Sequence, residues 1–567
     1  MNFTPPTIKK FMSADWSDLE PYYQELLTRP FDAASVAAWL ADWSELRKLV
    51  DETYARLQLT SFQNTADAEA EERYYYFLEN LYPKLQAADQ QLKEKLLASD
   101  LEPEGMRVPL MRMRAEAQIF RDANLLLQTE ERKLGSQYSK ITGGQNIIYQ
   151  GENLTLQQAA AKMHTPERAV REQLWQLTAE RQLQNRGAIN DLWVQAMELR
   201  QQIAANADLP DYRAYRWQQL HRFDYTPQDS KDFFEAIAEV AVPAAQRVYA
   251  RHCTRLGLDS LRPWDLEREQ STMRFPGIQA YETPEDFDTI AEDVFQQVDP
   301  ELGAYFASMR REHLLDLQNR PGKSPGAFCT SFATQARPFI FMNAVGMETD
   351  VRVLLHEAGH AFHVFERSRL PYHHQWRANM EFNEVASTAM EFLAAPYLSK
   401  SHGGYFSKAD AARARVQHLE NTLLFWPYMA VVSAFQHWVY EHPTLSSDPA
   451  QCDAQWSALN ARFMPSLDWS GLEDALATGW HRKLHIHRYP FYYIEYGLSQ
   501  LGAVQIWANA LNDQACALVD YRAALALGGT ATIPELYAAA GVRLAFDVQT
   551  LGAAVDLLER TILELEG

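Results

Sequence analysis

The pentapeptide His356-Glu357-Ala358-Gly359-His360 constrains this chain more than any other stretch, because its two histidines can act together only if the backbone around them is helical. Residues four apart lie on one face of an α-helix about one turn apart, so both imidazoles can reach a single point in space. The flanking residues supply that helix. Val351, Leu354, Leu355, Ala358, Phe362 and Phe365 recur at intervals of three and four, the apolar stripe of a helix packed on a core. Thr349-Asp350 offers a capping side chain just ahead of it, and the spacing predicts a helix over 351–365.

Glu357 directly follows the first histidine, which completes the H-E-x-x-H pattern of zinc peptidases. In that pattern the imidazoles of His356 and His360 bind the metal, while the carboxylate of Glu357 stands beside the open coordination position and takes a proton from water. A catalytic zinc takes three protein ligands, so a further donor must come from elsewhere. His363 does not qualify: at about 1.5 Å of rise per residue it lies about 10 Å along the axis from His356. A second helical run over 379–393 follows the loop Pro371-Tyr372-His373-His374 and carries Glu381, Glu384 and Glu391, any of which brings a carboxylate.

These residues carry a resemblance. His-Glu-Ala-Gly-His, followed 24 residues after its second histidine by Glu384 in Glu-Val-Ala-Ser-Thr-Ala-Met-Glu, resembles the oligoendopeptidase F branch of the thimet oligopeptidase family. The resemblance implies that Glu384 is the third zinc ligand, with one Zn²⁺ per chain. Glu381 and Glu391 are then carboxylates near the site that leave the metal alone, of the kind that orient ligating imidazoles. A second stretch, His485-Ile-His-Arg-Tyr-Pro-Phe-Tyr-Tyr-Ile-Glu-Tyr-Gly497, is similar to the family's His and Tyr segment. Carried over, His485, Tyr489 and Tyr496 become donors to the tetrahedral intermediate, with His487 competing for the histidine role and Tyr492 or Tyr493 taking part if the register slips. Phenols suit such a task, since preorganised donors stabilise a developing oxyanion.

Leu209 to Arg216, Arg222-Phe-Asp-Tyr-Thr-Pro227, Gly326-Ala-Phe-Cys329 and Arg337 to Asn343 fall in the family's order, so the likeness covers roughly residues 120 to 567 and is strongest to the shorter Pz-peptidases. It implies a mostly α fold, a two-lobed helical body enclosing a substrate channel, with a small β-sheet near the active-site helix. Residues 1–120 read as an N-terminal helical region and 121–567 as the catalytic region. Thr165-Pro166-Glu167 reads as a helix start with Pro in the first turn. Residues 146–156 read as a hairpin around Gly151, and 328–343 as further strands, with Arg337 to Asn343 an edge strand for an extended substrate.

A hydrophobic content of 47% over 567 residues supports an extensive core, and a formal charge of -21 without a Lys/Arg cluster argues against nucleic acid as a partner. Cys253, Cys329, Cys452 and Cys516 form no C-x-x-C unit, which fits a reducing compartment and no thiolate metal site. The N-terminus lacks the apolar run of a signal peptide. The longest apolar stretch, Leu423 to Tyr440, contains Gln436 and His437 and suits a buried helix better than a membrane span. The chain therefore reads as a cytoplasmic zinc endopeptidase for short peptides, with no membrane partner and an oligomeric state the sequence leaves open. A helical zinc carboxypeptidase and a noncatalytic helical binding protein are the alternatives.

Overall fold

Amphipathic sequence becomes helix along most of the chain, in a computed structural model that describes residues 4–266 and 279–566. These form two compact units, each assembled from segments distant in sequence. The first comprises Met1–Ala117, Gln279–Ala411 and Gly502–Leu544; the second comprises Gln118–Ile278, Ala412–Leu501 and Ala545–Gly567.

In the first unit the N-terminal helices Trp16–Thr28, Val36–Gln63 and Tyr82–Ala98 close over a core that includes Trp39, Trp43, Leu40, Leu92 and Leu96. Its three-stranded sheet contains β3 (Leu315–Gln318), β4 (Phe328–Phe332) and β5 (Arg337–Ala344), numbered after a hairpin in the other unit, in the order β3-β5-β4. β5 is thus the central strand, and Arg337 to Asn343 is not an edge. It pairs in parallel with β3, Leu315 opposite Ile340, and antiparallel with β4, Cys329 opposite Ile340. The reason lies in Phe339-Ile340-Phe341-Met342, an unbroken apolar run buried along its whole length, as befits a strand covered on both faces. The half-buried β4 is the edge nearest the helix that carries the two histidines.

That helix, the motif helix, runs over Glu348–Arg367 and packs against β5 and β4. Its predicted stripe is buried throughout: Val351, Leu354, Leu355, Ala358, Phe362 and Phe365 all face the interior. Phe362 meets Phe295 edge-on at 5.1 Å and Phe365 stacks on Tyr305 at 4.6 Å. Asp350 does cap, but from the helix's third position. Its Oδ2 accepts from the backbone N–H groups of Val345, Gly346 and Met347 at 2.7–2.8 Å, so the helix begins before it at Glu348.

The second helical run spans Met380–Ala394 and crosses the motif helix at Gly359. A Cβ there would stand 2.6 Å from both Ala386 O and Ser387 Cα, closer than real side chains come. The start of this second helix is held by Arg112, whose guanidinium donates to Arg377 O and, at 2.6 Å, to Asn379 Oδ1. Tyr521 Oη donates to Ala386 O at 2.7 Å, satisfying a carbonyl at the crossing itself.

In the second unit β1 (Asn146–Tyr149) and β2 (Glu152–Thr155) form the expected hairpin. Gln150 and Gly151, at φ of 51° and 85°, occupy the two left-handed positions of a tight turn that matches strand twist. The helix expected from Thr165 instead starts at Arg168. Arg171 Nη1 donates to the carbonyls of Thr165 and Pro166 at 3.2 and 3.0 Å, which holds both residues outside the helix. Leu423 to Tyr440 lies within the helix Lys408–Glu441, where Trp426, Val431 and Phe435 are fully buried. Among the described residues no helix is long and apolar enough to cross a membrane.

The close crossing predicts opposite outcomes for two glycine substitutions. Gly359→Ala adds a methyl where only backbone can yield and should destabilise by about 1–3 kcal/mol despite its better helix propensity. Gly187→Ala, in the helix Arg186–Asn206 with nothing within 4 Å of the new methyl, should be neutral or stabilising by up to about 1 kcal/mol. Thermal unfolding midpoints of the two variants check this, and equal midpoints would contradict it.

Candidate metal centre

The crossing at Gly359 sets the carboxylate of Glu384 against both imidazoles. His356 Nε2 lies 3.5 Å and His360 Nε2 4.0 Å from Glu384 Oε2, and the three ligand atoms fall within 4.8 Å of one another. The two rings stand nearly perpendicular at 87°, their centroids 5.0 Å apart. Zinc bonds of about 2.0–2.2 Å imply tetrahedral edges of roughly 3.3 Å, so two nitrogens and an oxygen at these separations need little movement to hold the ion. The donor set fits.

One nitrogen of His356 is already committed. Glu391 Oε1 accepts from His356 Nδ1 at 2.8 Å, which makes Nε2 the nitrogen that would bind a cation, by giving up its proton. Arg352 Nη1 stands 3.9 Å from the other Glu391 oxygen. Ser387 Oγ donates to Glu384 O at 3.1 Å and lies 3.5 Å from Glu384 Oε2, steadying the carboxylate. Glu381 is buried on the same helix.

Burial disfavours charge on His356, His360, Glu384 and Glu357, and specific contacts decide which keeps it. Burial pulls the His356 imidazole down, yet hydrogen bonds to Glu384 and Glu391 prevail and raise its pKa to about 10. Burial takes His360 the other way, to about 4. Glu384 is opposed by burial too, but its bond to His356 and the two nearby imidazoles hold it below the usual carboxylate range. Glu357, on the motif helix, is pushed up to about 7 by burial, with His356 and the Cys329 backbone N–H of β4 working against that rise. Three carboxylates around two imidazoles make an anionic excess that a divalent cation neutralises.

The remaining predicted residues gather in the second unit. His485 is half-buried, with the rings of Tyr493, Tyr492, Tyr496 and Tyr489 at 4.9, 5.9, 5.9 and 6.4 Å. Burial first and then Lys483 lower its pKa to about 4, so the ring is neutral. Tyr489 is exposed. His487 is a core residue instead, stacked on Tyr138 at 4.2 Å and on Trp480 at 5.7 Å.

Sequence reading missed what holds this segment. Arg200 Nη2 donates to His487 O at 2.6 Å, Arg216 Nη2 to Pro490 O at 3.2 Å and Arg222 Nη2 to Phe491 O at 2.6 Å. Gln436 Oε1 accepts from the Phe491 N–H at 2.7 Å. Arg200 and Arg222 are buried and compensated by Glu131 and Glu495 at 2.7 and 2.8 Å. Phe491 needs such restraint, since its φ of 66° is a left-handed conformation that a bulky residue rarely adopts. The one sequence signal was the placing of Arg216 and Arg222 in the two family-like stretches that periodicity leaves unexplained.

Residues 161–554 match the model described as peptidase family M3, and residues 9–127 match the peptidase M3 N-terminal domain. The chain belongs to peptidase family M3. Members of this family are zinc metallopeptidases. Among solved structures, a protein assigned provisionally as an oligoendopeptidase F is 26% identical, with 97% of each chain covered and a TM-score of 0.84. A Pz peptidase A with an inhibitor shares the fold at 24% identity and a TM-score of 0.84, covering 100% of this chain and 98% of that one. Another provisionally assigned oligoendopeptidase F, from Bacillus anthracis str. Ames, shares it at 23% identity and 0.81, covering 99% and 97%. No curated protein sequence matches. The mostly α fold and the Pz-peptidase and oligoendopeptidase F likeness expected of this M3 peptidase are thereby borne out.

The Glu391 contact yields a prediction about the metal. Glu391→Leu removes the acceptor that fixes the His356 ring and should weaken zinc affinity by about 10–100-fold, with Glu391→Gln less affected. Competition against a chelating dye measures this. Unchanged affinity in Glu391→Leu would assign the ring's orientation to helix packing alone.

Proposed function

We propose that this M3 peptidase is a zinc-dependent endopeptidase that hydrolyses internal bonds of short oligopeptides. The observation that carries the reading is the cluster of His356 Nε2, His360 Nε2 and Glu384 Oε2 with Glu357 on the same helix. His356, His360 and Glu384 would hold one Zn²⁺ per chain. Bound there, the ion would supply Lewis acidity toward the scissile carbonyl and toward water.

The chain's own residues do the rest. Glu357 accepts a proton from the attacking water on its carboxylate and delivers it to the nitrogen of the departing amine. Its burial keeps that carboxylate away from bulk water. Tyr496, Tyr489 and His485 donate hydrogen bonds to the oxyanion, a task for preorganised donors. The neutral state of His485 leaves one ring N–H for this purpose. In place of β5, the free side of β4 offers backbone groups to an extended peptide, and its Cys329 N–H already reaches Glu357. We assign residues 121–567 to catalysis, 1–120 to an N-terminal helical region and the whole chain to the cytoplasm, with peptides as the partners.

A doubly blocked fluorogenic peptide, assayed with and without chelator, tests the reading. Cleavage that chelation abolishes and zinc restores is expected; cleavage only of peptides with a free C-terminus would favour a carboxypeptidase. Glu357→Gln should keep its zinc and its KM while kcat falls by about 10²–10⁴-fold, the scale of a lost acid/base group. Retention of more than about a tenth of kcat would contradict that role. Tyr496→Phe should lower kcat and kcat/KM together by roughly 10²–10³-fold with little change in KM. Normal kinetics there, with impairment in Tyr492→Phe or Tyr493→Phe, would move the assignment along the segment.

A further inference from the structure

A cavity of about 350 Å³ lies within the first unit, where the end of the motif helix and the loop after it meet the N-terminal helices. None of His356, Glu357, His360 or Glu384 lines it. Five cationic side chains do: Arg47, Lys93, Arg112, Arg367 and Arg377, in a chain whose net charge is -21. The three carboxylates of the same wall are engaged with two of those cations. Arg47 lies 3.2 Å from Asp89 and 3.7 Å from Asp51, and Lys93 lies 2.5 Å from Glu116. Arg112 holds Arg377 O and Asn379 Oδ1. Arg367 and Arg377 have no carboxylate within ion-pair distance among the described residues, and the cavity keeps a cationic excess.

Two buried N–H groups point to what that excess is for. Arg367 Nε is buried without a hydrogen-bond partner, and so is His374 Nε2. The tautomer of His374 follows from its neighbour. Ser44 Oγ accepts from the His373 N–H at 3.2 Å, so its own proton is free for His374 Nδ1 at 3.3 Å, which leaves the ring proton on Nε2. Burial above all, with Arg47, His373 and Lys93 adding to it, brings the His374 pKa down to about 3, so the ring is neutral. Both unpartnered groups are therefore donors. Buried donors cost free energy unless an acceptor meets them, and in a cationic cavity the acceptor that answers both needs is an anion.

We propose that this cavity is an anion-binding site that takes a phosphate or carboxylate group, its wall supplied by the side chains of Arg367 and His374, with Arg377 at its exposed side. A guanidinium suits the planar or tetrahedral oxygens of such groups, and the volume lies in the range of small-ligand pockets. The anion is either a free ion or a carboxylate belonging to a peptide.

Calorimetric titration of inorganic phosphate into the metal-loaded full chain, at constant ionic strength, tests the proposal. Saturable binding is expected, weakened at least tenfold in Arg367→Gln, in His374→Phe and in Arg377→Gln. Arg377 is exposed, so its variant separates loss of the site from loss of the fold. Absence of saturable binding, or binding equally strong in all three variants as it would be for phosphate held at the metal, overturns the proposal. Two peptides that differ only in a C-terminal carboxylate or amide then distinguish the sources. If phosphate raises KM for the carboxylate peptide alone, the peptide supplies the anion; if it raises KM for neither, the site serves a free ion.

Discussion

Everything at the candidate metal centre depends on two helices approaching until their backbones touch. The H-E-x-x-H pattern supplies two donors from one helix, and the remaining donor lies on another helix whose axis must come within reach of a short carboxylate side chain. Gly359 makes the approach possible by presenting no side chain to Ala386 and Ser387. Glu384 lies only two residues before Ala386, so the point of closest backbone contact and the point of ligand convergence are nearly the same. Tyr521 and Arg112 satisfy polar groups near that crossing, which matters because an unpaired buried carbonyl costs as much as a lost packing contact.

The Tyr segment of the second unit is organised on another principle. Its residues 486–491 are not a long regular element, so their carbonyls cannot all be satisfied by a helix or sheet ladder. Arg200, Arg216 and Arg222 take over that role from the side. Guanidinium groups do this well, being rigid forks with several donors, yet burying them demands the compensating carboxylates of Glu131 and Glu495. A loop fixed by buried ion pairs is harder to displace than one fixed by surface contacts. Preorganised donors require that rigidity.

Much of this was legible in the residues. The stripe from Val351 to Phe365 specified the motif helix because burial of one face enforces a period that sequence displays directly. Gly151 marked the hairpin because few residues tolerate its backbone angle. The parts that could not be read depend on partners remote in sequence. That β5 is central follows from strands on both sides of it, and only the unbroken run Phe339 to Met342 hinted at them. Asp350 was read as a cap preceding the helix, whereas it reaches backward from within, a difference of three residues that composition cannot distinguish. Glu391 was expected near the site, but its bond to His356 needs the crossing geometry. Buried Arg200 was invisible, since a charged residue in an amphipathic helix ordinarily reads as solvent-facing.

The first unit is drawn from three stretches of chain, the last of them Gly502–Leu544. During synthesis the motif helix and the carboxylate helix leave the ribosome long before Tyr521, which closes the hydrogen bond at their crossing, has been added. The nascent chain must hold His356, His360 and Glu384 in an incomplete unit while more than a hundred further residues are translated. Contacts so remote in sequence slow the search for the native arrangement. His356, His360 and Glu384 are thus encoded early and secured late, and the maturing chain depends on Gly502–Leu544 for the integrity of a cluster to which that segment contributes none of the three.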